Sequence, residues 1–88
     1  MTTYDFKDGK GPVPAHQHSN GGGWVADTAT VSATAYVGPD AQVYGNARVY
    51  GNAEVYGNAI VSGKAIVSEY AKVSGNARVS EYEKYLVM

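Results

Sequence analysis

The chain has 88 residues, enough for one domain, and its 7 basic and 8 acidic residues give a net charge of −1. This balance leaves no basic stripe for binding a nucleic-acid polymer, and a chain without cysteine has no disulfide or thiolate chemistry. No apolar run is long enough to span a membrane, and MTTYDFKDGK lacks the apolar core of a signal peptide, so we expect a cytoplasmic protein.

Residues 1–22 do not repeat, and they hold both histidines and two of the three prolines. They predict an extended N-terminal arm. On an extended segment the side chains of His16 and His18 lie on the same side and could converge on one anion or metal ion. Zinc requires three or four protein ligands, and nothing adjacent supplies the others, so no metal site is predicted. The alternative is a solvated arm that contains two histidines.

The arm ends in Gly21 and Gly22, and the repeats that follow begin with Gly23 and Trp24. Three successive glycines could present backbone N–H groups to an anion, or they could form a hinge between the arm and the rest of the chain. We expect Trp24 to pack against the arm or a neighbouring subunit. Its indole could alternatively stack on a nucleobase.

Residues 23–82 form ten six-residue repeats of the type Ala-x-Val-x-Gly-Asn. Side chains on a strand alternate between faces, so Ala and Val point inward and the x residues point outward. Gly and Asn supply a corner because both tolerate positive φ. Three corners close a triangular coil, so the repeats predict an all-β parallel solenoid of about three coils, 18 residues each. The inward valines are Val25, Val31, Val37, Val43, Val49, Val55, Val61, Val67, Val73 and Val79.

The same register places apolar side chains on the outside of the solenoid. Exposed apolar groups that lie close together usually mark an interface, so we expect contacts between subunits at Tyr50, Ile60 and Ile66. The alternative is that these residues are ordinary strand formers on a solvated sheet. Residues 83–88 complete the chain as a short apolar tail.

The repeats resemble the hexapeptide-repeat, left-handed β-helix family over about two thirds of the chain. This resemblance implies a left-handed coil and a homotrimer of parallel prisms. The repeats depart from the commonest family form because Tyr or Ser follows the inward Val, where a small or acidic residue is more usual. The stretch KDGKGPVPAHQHSNGGGWVADTA also resembles a leader that precedes hexapeptide arrays in short bacterial and bacteriophage proteins of unclear role. For a phage-encoded protein, the expected compartment is the cytoplasm of the bacterial host.

Two non-catalytic functions fit these features. One is the binding and sequestration of a small anionic, nucleotide-like ligand in clefts between the subunits, and the other is a purely structural or assembly module. The arm favours ligand binding, because a structural solenoid has no need of 22 non-repeating residues that contain histidine, glycine and proline. The residues of the predicted ligand site are Lys7, Lys10, His16, His18, Gly21, Gly22, Gly23, Trp24 and Tyr44.

An enzyme is the second alternative. The resemblance includes acyltransferases that use acetyl-CoA and γ-class carbonic anhydrases. The acyltransferases generally place a histidine base on the solenoid, but this chain has no histidine after His18 and no loop inserted into the repeats. The anhydrases need three histidines on zinc, and this chain has two. The sequence therefore predicts no catalytic residue and no cofactor.

Overall fold

The computed structural model describes residues 2–7, 9–79 and 84–87, the last four by their backbone alone. These residues form thirteen β-strands and no helix, so none of the described segments is a helix that could cross a membrane. The strands are β1 (Thr3–Asp5), β2 (Pro12–Gln17), β3 (Trp24–Ala26), β4 (Thr30–Val31), β5 (Tyr36–Val37), β6 (Gln42–Val43), β7 (Arg48–Val49), β8 (Glu54–Val55), β9 (Ile60–Val61), β10 (Ile66–Glu69), β11 (Lys72–Val73), β12 (Arg78–Val79) and β13 (Lys84–Val87).

From β3 onward the strands wind into a triangular prism. They begin at six-residue intervals, and each strand from β3 to β10 pairs in parallel with the strand eighteen residues later, as Trp24 does with Gln42 and Gln42 with Ile60. The β-solenoid with eighteen-residue coils is therefore confirmed. We call its three sides face one (β3, β6, β9, β12), face two (β4, β7, β10, β13) and face three (β5, β8, β11).

The core of the prism is a stack of valines and alanines. Nine of the ten inward valines are at most 1% exposed, which is the expected result of two-residue strands whose second residue points to the axis. Val31, in the first coil, is only partly buried. Full burial of one valine stabilises the fold by about 1.5–3 kcal/mol, so the stack is the main source of stability.

The corners of the prism depend on positive φ. Gly45, Gly51, Gly57 and Gly75 have φ between 64° and 69°, and the coils stack so closely that a Cβ on Gly57 would lie 2.9 Å from the Gly75 amide nitrogen. One repeat carries Glu69 instead of glycine, and its φ is still 59°. The stacked backbone therefore imposes the corner geometry even on a residue for which it costs roughly 1–2 kcal/mol.

The N-terminal residues differ from the expected extended arm. They fold back as an antiparallel hairpin in which Tyr4 pairs with Val13, and β2 then pairs antiparallel with β3, His16 opposite Val25. The hairpin adds two strands to face one, so that its sheet runs in the order β1-β2-β3-β6-β9-β12. An extended segment beside an open sheet edge satisfies its backbone groups by pairing with that edge, which is why the arm does not remain free.

The C-terminal segment continues the stack. In β13, Lys84 pairs with Ile66 and Val87 with Glu69, which is the same eighteen-residue offset as in the repeats. Part of the expected apolar tail therefore forms a further strand of face two. The predicted boundary between residues 82 and 83 lies outside the described residues.

Candidate functional site

The N-terminal hairpin covers the outward aromatic residues of face one. The ring of Tyr4 stacks on Trp24 with 4.6 Å between centroids, and Phe6 stacks on Tyr44 at 4.8 Å. Phe6 is 5% exposed, and it forms one buried cluster with Ala15 and Ala26. Aromatic pairs of this kind add about 0.5–1.5 kcal/mol each beyond the area they bury. The hairpin is therefore held by packing as well as by strand pairing.

We call the end of the prism at which the first coil lies its upper end. The segment that connects the hairpin to the first coil crosses the upper edge of face three. The backbone N–H of Gly23 donates to the carbonyl of Val37 (2.9 Å), and the N–H of Val37 donates to the carbonyl of Asn20 (3.0 Å). The N–H of Gly22 donates to the carbonyl of His18 (2.9 Å). The backbone N–H groups of Gly22 and Gly23 thus both donate to carbonyl groups of the same chain. We call the hairpin and this connection, residues 2–7 and 9–23, the N-terminal cap.

Two of the three glycines are required by close approach to the first coil. A Cβ on Gly21 would lie 2.1 Å from the carbonyl oxygen of Val37, and one on Gly23 would lie 2.3 Å from the carbonyl oxygen of Gly38. Gly22 has nothing within 4 Å of its Cβ position. Because Gly21 and Gly23 have no side chain, the N-terminal cap packs directly on the backbone of the first coil.

The two histidines contact different partners. His18 is 7% exposed, and its Nε2 donates to the carbonyl oxygen of Ala35 at 2.8 Å. His16 is exposed, and its Nδ1 lies 2.8 Å from Oδ1 of Asp27 at the first corner of the solenoid. The side chains predicted to converge on one ligand instead make separate contacts with the first coil.

The lysines of the predicted ligand site lie on the hairpin loop. Lys7 has a φ of 60°, and its backbone N–H donates to Oδ1 of Asp5 at 2.8 Å, which fixes the turn. The side chains of both Lys7 and Lys10 are exposed. Lys10 also lines a cleft between the hairpin and face one.

This cleft has a volume of about 250 Å³ and is mainly apolar. Phe6, Val13 and Tyr44 form its apolar walls, while Lys10 and Asp27 supply charged groups. Of the residues predicted to bind a ligand, the structure brings Lys10 and Tyr44 together here. No group of three or more residues that could hold a metal ion occurs within the described part of the chain.

The residues predicted for subunit contacts lie on the outside, as the eighteen-residue register requires. Tyr50 on face two is 43% exposed, Ile66 on the same face is half-buried, and Ile60 is half-buried on face one. No residue of the N-terminal cap covers Tyr50, in contrast to the cover that Trp24 and Tyr44 receive.

The sequence interpretation missed Tyr4, Phe6 and Asn20 as partners of the first coil. Tyr4 lies on β1 and Phe6 directly follows the end of that strand. Residues two apart on extended chain share one face, and that spacing is a signal that could have paired them with Trp24 and Tyr44. For Asn20, whose carbonyl and side chain both bond to face three, the sequence offered no comparable signal.

Comparison with known proteins supports the repeat and goes no further. A family model described as YdcK Beta solenoid repeat matches residues 41–55 and 53–69, about a third of the chain. The matched residues belong to the regular second and third coils, and the N-terminal cap lies outside them. The comparisons with curated proteins and with solved structures gave no match.

Proposed function

We propose that this protein is a non-catalytic structural module, a short solenoid with its own N-terminal cap that assembles with copies of itself as a homotrimer. The observation that carries this proposal is that the N-terminal residues pack on and bond to the first coil of the same chain. Trp24 stacks on Tyr4, His18 bonds to Ala35, and the Gly23 amide donates to Val37. Groups that could have formed a ligand site instead close the end of the prism.

Self-association is supported by the contrast between the faces. On face one the hairpin covers Trp24 and Tyr44, so outward aromatic rings on this prism do pack when a covering segment is available. On face two, Tyr50 is exposed and Ile66 is half-buried within the single chain. Tyr50 follows β7 and Ile66 begins the neighbouring strand β10, and apolar groups that lie close together at the surface of a small protein typically mark an interaction surface. A second copy of the chain is the occupant that we propose for face two.

A closed ring also fits the small size of each face. Four stacked strands at a spacing of about 4.8 Å make face two only about 19 Å tall. Stable interfaces bury about 800 Å² per partner, more than one such face offers. In a three-membered ring each protomer has two interfaces, so each uses two different surface patches.

We expect light scattering to give three times the 9.3 kDa mass of the chain at micromolar concentration. The variant Tyr50→Glu should lower this mass toward that of the monomer, because it replaces an exposed aromatic side chain of face two with a charge. Lys72→Glu, a charge change at an exposed position of face three, is the matched control and should leave the mass unchanged. A wild-type mass of one chain would contradict the trimer.

A second candidate function is the binding of a small anionic, nucleotide-like ligand in clefts between subunits. The cleft at Lys10 and Tyr44 supports it, because a cation and an aromatic ring are the groups that such a ligand needs. Of the residues predicted to bind such a ligand, His18, Gly23 and Trp24 make contacts within the chain. For that reason we place the structural function first.

A thermal-shift screen with nucleotides, coenzyme A and divalent metals separates the two functions. A ligand at 100 times its Kd stabilises a protein by about 2.7 kcal/mol, which gives a clear rise in Tm for a chain of this size. The structural function predicts no such rise for any compound. A rise with a nucleotide that Lys10→Ala or Tyr44→Ala abolishes would establish the ligand-binding function instead.

A further inference from the structure

In the third coil two corners depart from the Gly-Asn pattern, and they lie at the two ends of strand β10. Both corners that flank β7, one coil above, have the sequence Gly-Asn. The corner before β10 is instead Gly63-Lys64, and the corner at its end is Glu69-Tyr70. Face two therefore carries a cation at one edge and an anion at the other.

Glu69 has a backbone conformation that suits glycine better than any other residue. Its φ is 59°, close to the 68° of Gly51, the corner residue directly above it. The side chain is exposed, and among the described residues its carboxylate makes no hydrogen bond or ion pair. Tyr70 beside it is 63% exposed. A residue held in the left-handed region without a side-chain contact inside the chain points to a contact outside it.

A groove with complementary chemistry lies at the opposite edge of face two. It has a volume of about 380 Å³ and is lined by Asn46, Arg48, Lys64 and Ile66. Arg48 and Ile66 are paired neighbours on β7 and β10, so a cation and an apolar side chain lie together on its floor. Lys64 adds a second cation. These residues fit a carboxylate that is accompanied by an aromatic ring.

The groove cannot take the corner of its own chain. Lys64 and Glu69 are separated by five residues of mostly extended chain, roughly 15 Å at about 3.3 Å per residue. An ion pair needs its charged atoms within about 4 Å of each other. The occupant that matches the groove in charge and in apolar character is therefore the same corner of a second copy.

We infer that the Glu69-Tyr70 corner of each chain occupies the groove of the next chain, with the Glu69 carboxylate against Lys64 and Arg48 and the Tyr70 ring against Ile66. The contact presupposes the homotrimer of the proposed function and identifies the edges that meet in it.

A threefold arrangement of parallel prisms allows this contact when face two of each prism is turned toward the axis. The edge that begins face two in one chain then meets the edge that ends face two in the next. Lys64 and Glu69 belong to the same coil, so they meet at nearly the same height. A contact between two different patches closes into a ring when the rotation between copies allows it, as a rotation of one third of a turn does.

The same arrangement directs Tyr50, which points outward on face two, toward the axis from all three chains. The ion pairs would then fix which edges meet and at what height, because charges at the rim of an interface give specificity more than affinity. The apolar side chains of face two supply the remainder of the contact.

Charge reversal in the full chain tests the pairing. Glu69→Lys places a cation against Lys64 and Arg48, and Lys64→Glu places an anion against Glu69. Each variant should raise the concentration at which the trimer dissociates by at least about tenfold, because like charges at an interface repel. The double variant Lys64→Glu/Glu69→Lys restores opposite charges and should bring that concentration back toward the wild-type value. Asp40→Lys, the same kind of change at the exposed corner between faces three and one, is the matched control and should dissociate like wild type.

A cross-link locates the contact directly, because the natural chain has no cysteine. The variant Lys64→Cys/Glu69→Cys carries two thiols, and we treat it with a bismaleimide too short to join the two thiols of one chain. Denaturing electrophoresis should then show covalent species of two and three chains. Each single-cysteine variant should stay at the mass of one chain, since its thiols lie at three separate corners of the trimer.

Two results would overturn the inference while the trimer remains. One is a double charge reversal that dissociates as readily as the single variants. The other is a double-cysteine variant that has the trimer mass in light scattering but forms no covalent species, which would place the contact on other edges. A wild-type mass of one chain would instead reject the proposed function, and this contact with it.

Discussion

Replacing Val55 with aspartate should strongly destabilise the protein at neutral pH. Val55 is 0% exposed in the second coil, where only the valines and alanines of the stack surround it. The substitution removes about 1.5–3 kcal/mol of apolar burial and places a carboxylate where nothing pairs with it. We expect a total cost of about 4 kcal/mol or more, which is a large part of the 5–15 kcal/mol that stabilises a typical domain. Urea denaturation followed by circular dichroism measures it.

The matched control is Tyr56→Asp, one residue further along the chain. Tyr56 points outward and is 36% exposed, so the same charge there remains in water. We expect a cost of no more than about 1 kcal/mol from it. A folded Val55→Asp protein with the stability of Tyr56→Asp would show that the inward and outward positions are wrongly assigned.

Gly57→Ala should be the second most damaging of these changes. Gly57 has a φ of 66°, and a Cβ at this corner would lie 2.9 Å from the amide nitrogen of Gly75 in the next coil. Alanine at positive φ costs roughly 1–2 kcal/mol, and the overlap with stacked backbone adds about 1–3 kcal/mol. Thermal unfolding by calorimetry should show the loss.

Gly75→Ala separates the two contributions. Gly75 lies at the same corner with a φ of 64°, but nothing lies within 4 Å of its Cβ position. It should therefore cost only the conformational part, roughly 1–2 kcal/mol. Equal losses for the two variants would mean that the coils are not stacked as closely as described.

The solenoid could be predicted from the sequence because its period carries the geometry. Six residues complete one side and three sides complete one coil, so the pairing of Trp24 with Gln42 follows from counting. The alternation of inward Val and outward Tyr follows from the strand itself. Both rules are local and apply in every repeat, so the same prediction is supported many times along the chain.

The N-terminal cap could not be predicted in the same way because each of its contacts occurs once. The stacking of Tyr4 on Trp24 depends on a hairpin whose turn contains Lys7 at positive φ. A lysine in the sequence gives no indication of that conformation, because residues other than glycine rarely adopt it. The contact of His18 with Ala35 depends on a backbone carbonyl that is free only because the first coil has no coil above it. His18 and the glycine triplet, whose residue types are typical of ligand binding, thus also make contacts that complete the fold.

Completing the fold matters for a solenoid this short. A prism of about three coils has a large share of its backbone in its two end coils, where one side of each strand lacks a partner. Pairing β2 with β3 and bonding the connection to Val37 satisfies the upper ends of two of the three faces. The remaining face begins at β4, where Val31 is the one core valine that is partly exposed.

Amide hydrogen exchange at Gly23 and Val37 measures whether the backbone hydrogen bonds of the N-terminal cap are formed in the unaltered protein. Both N–H groups donate within the chain, Gly23 to Val37 and Val37 to Asn20. We predict that they exchange as slowly as the N–H of Gly38, which donates to Val55 inside the stack. Exchange of Gly23 and Val37 at the rate of an unstructured peptide, with Gly38 still protected, would show that the N-terminal residues do not cap the first coil.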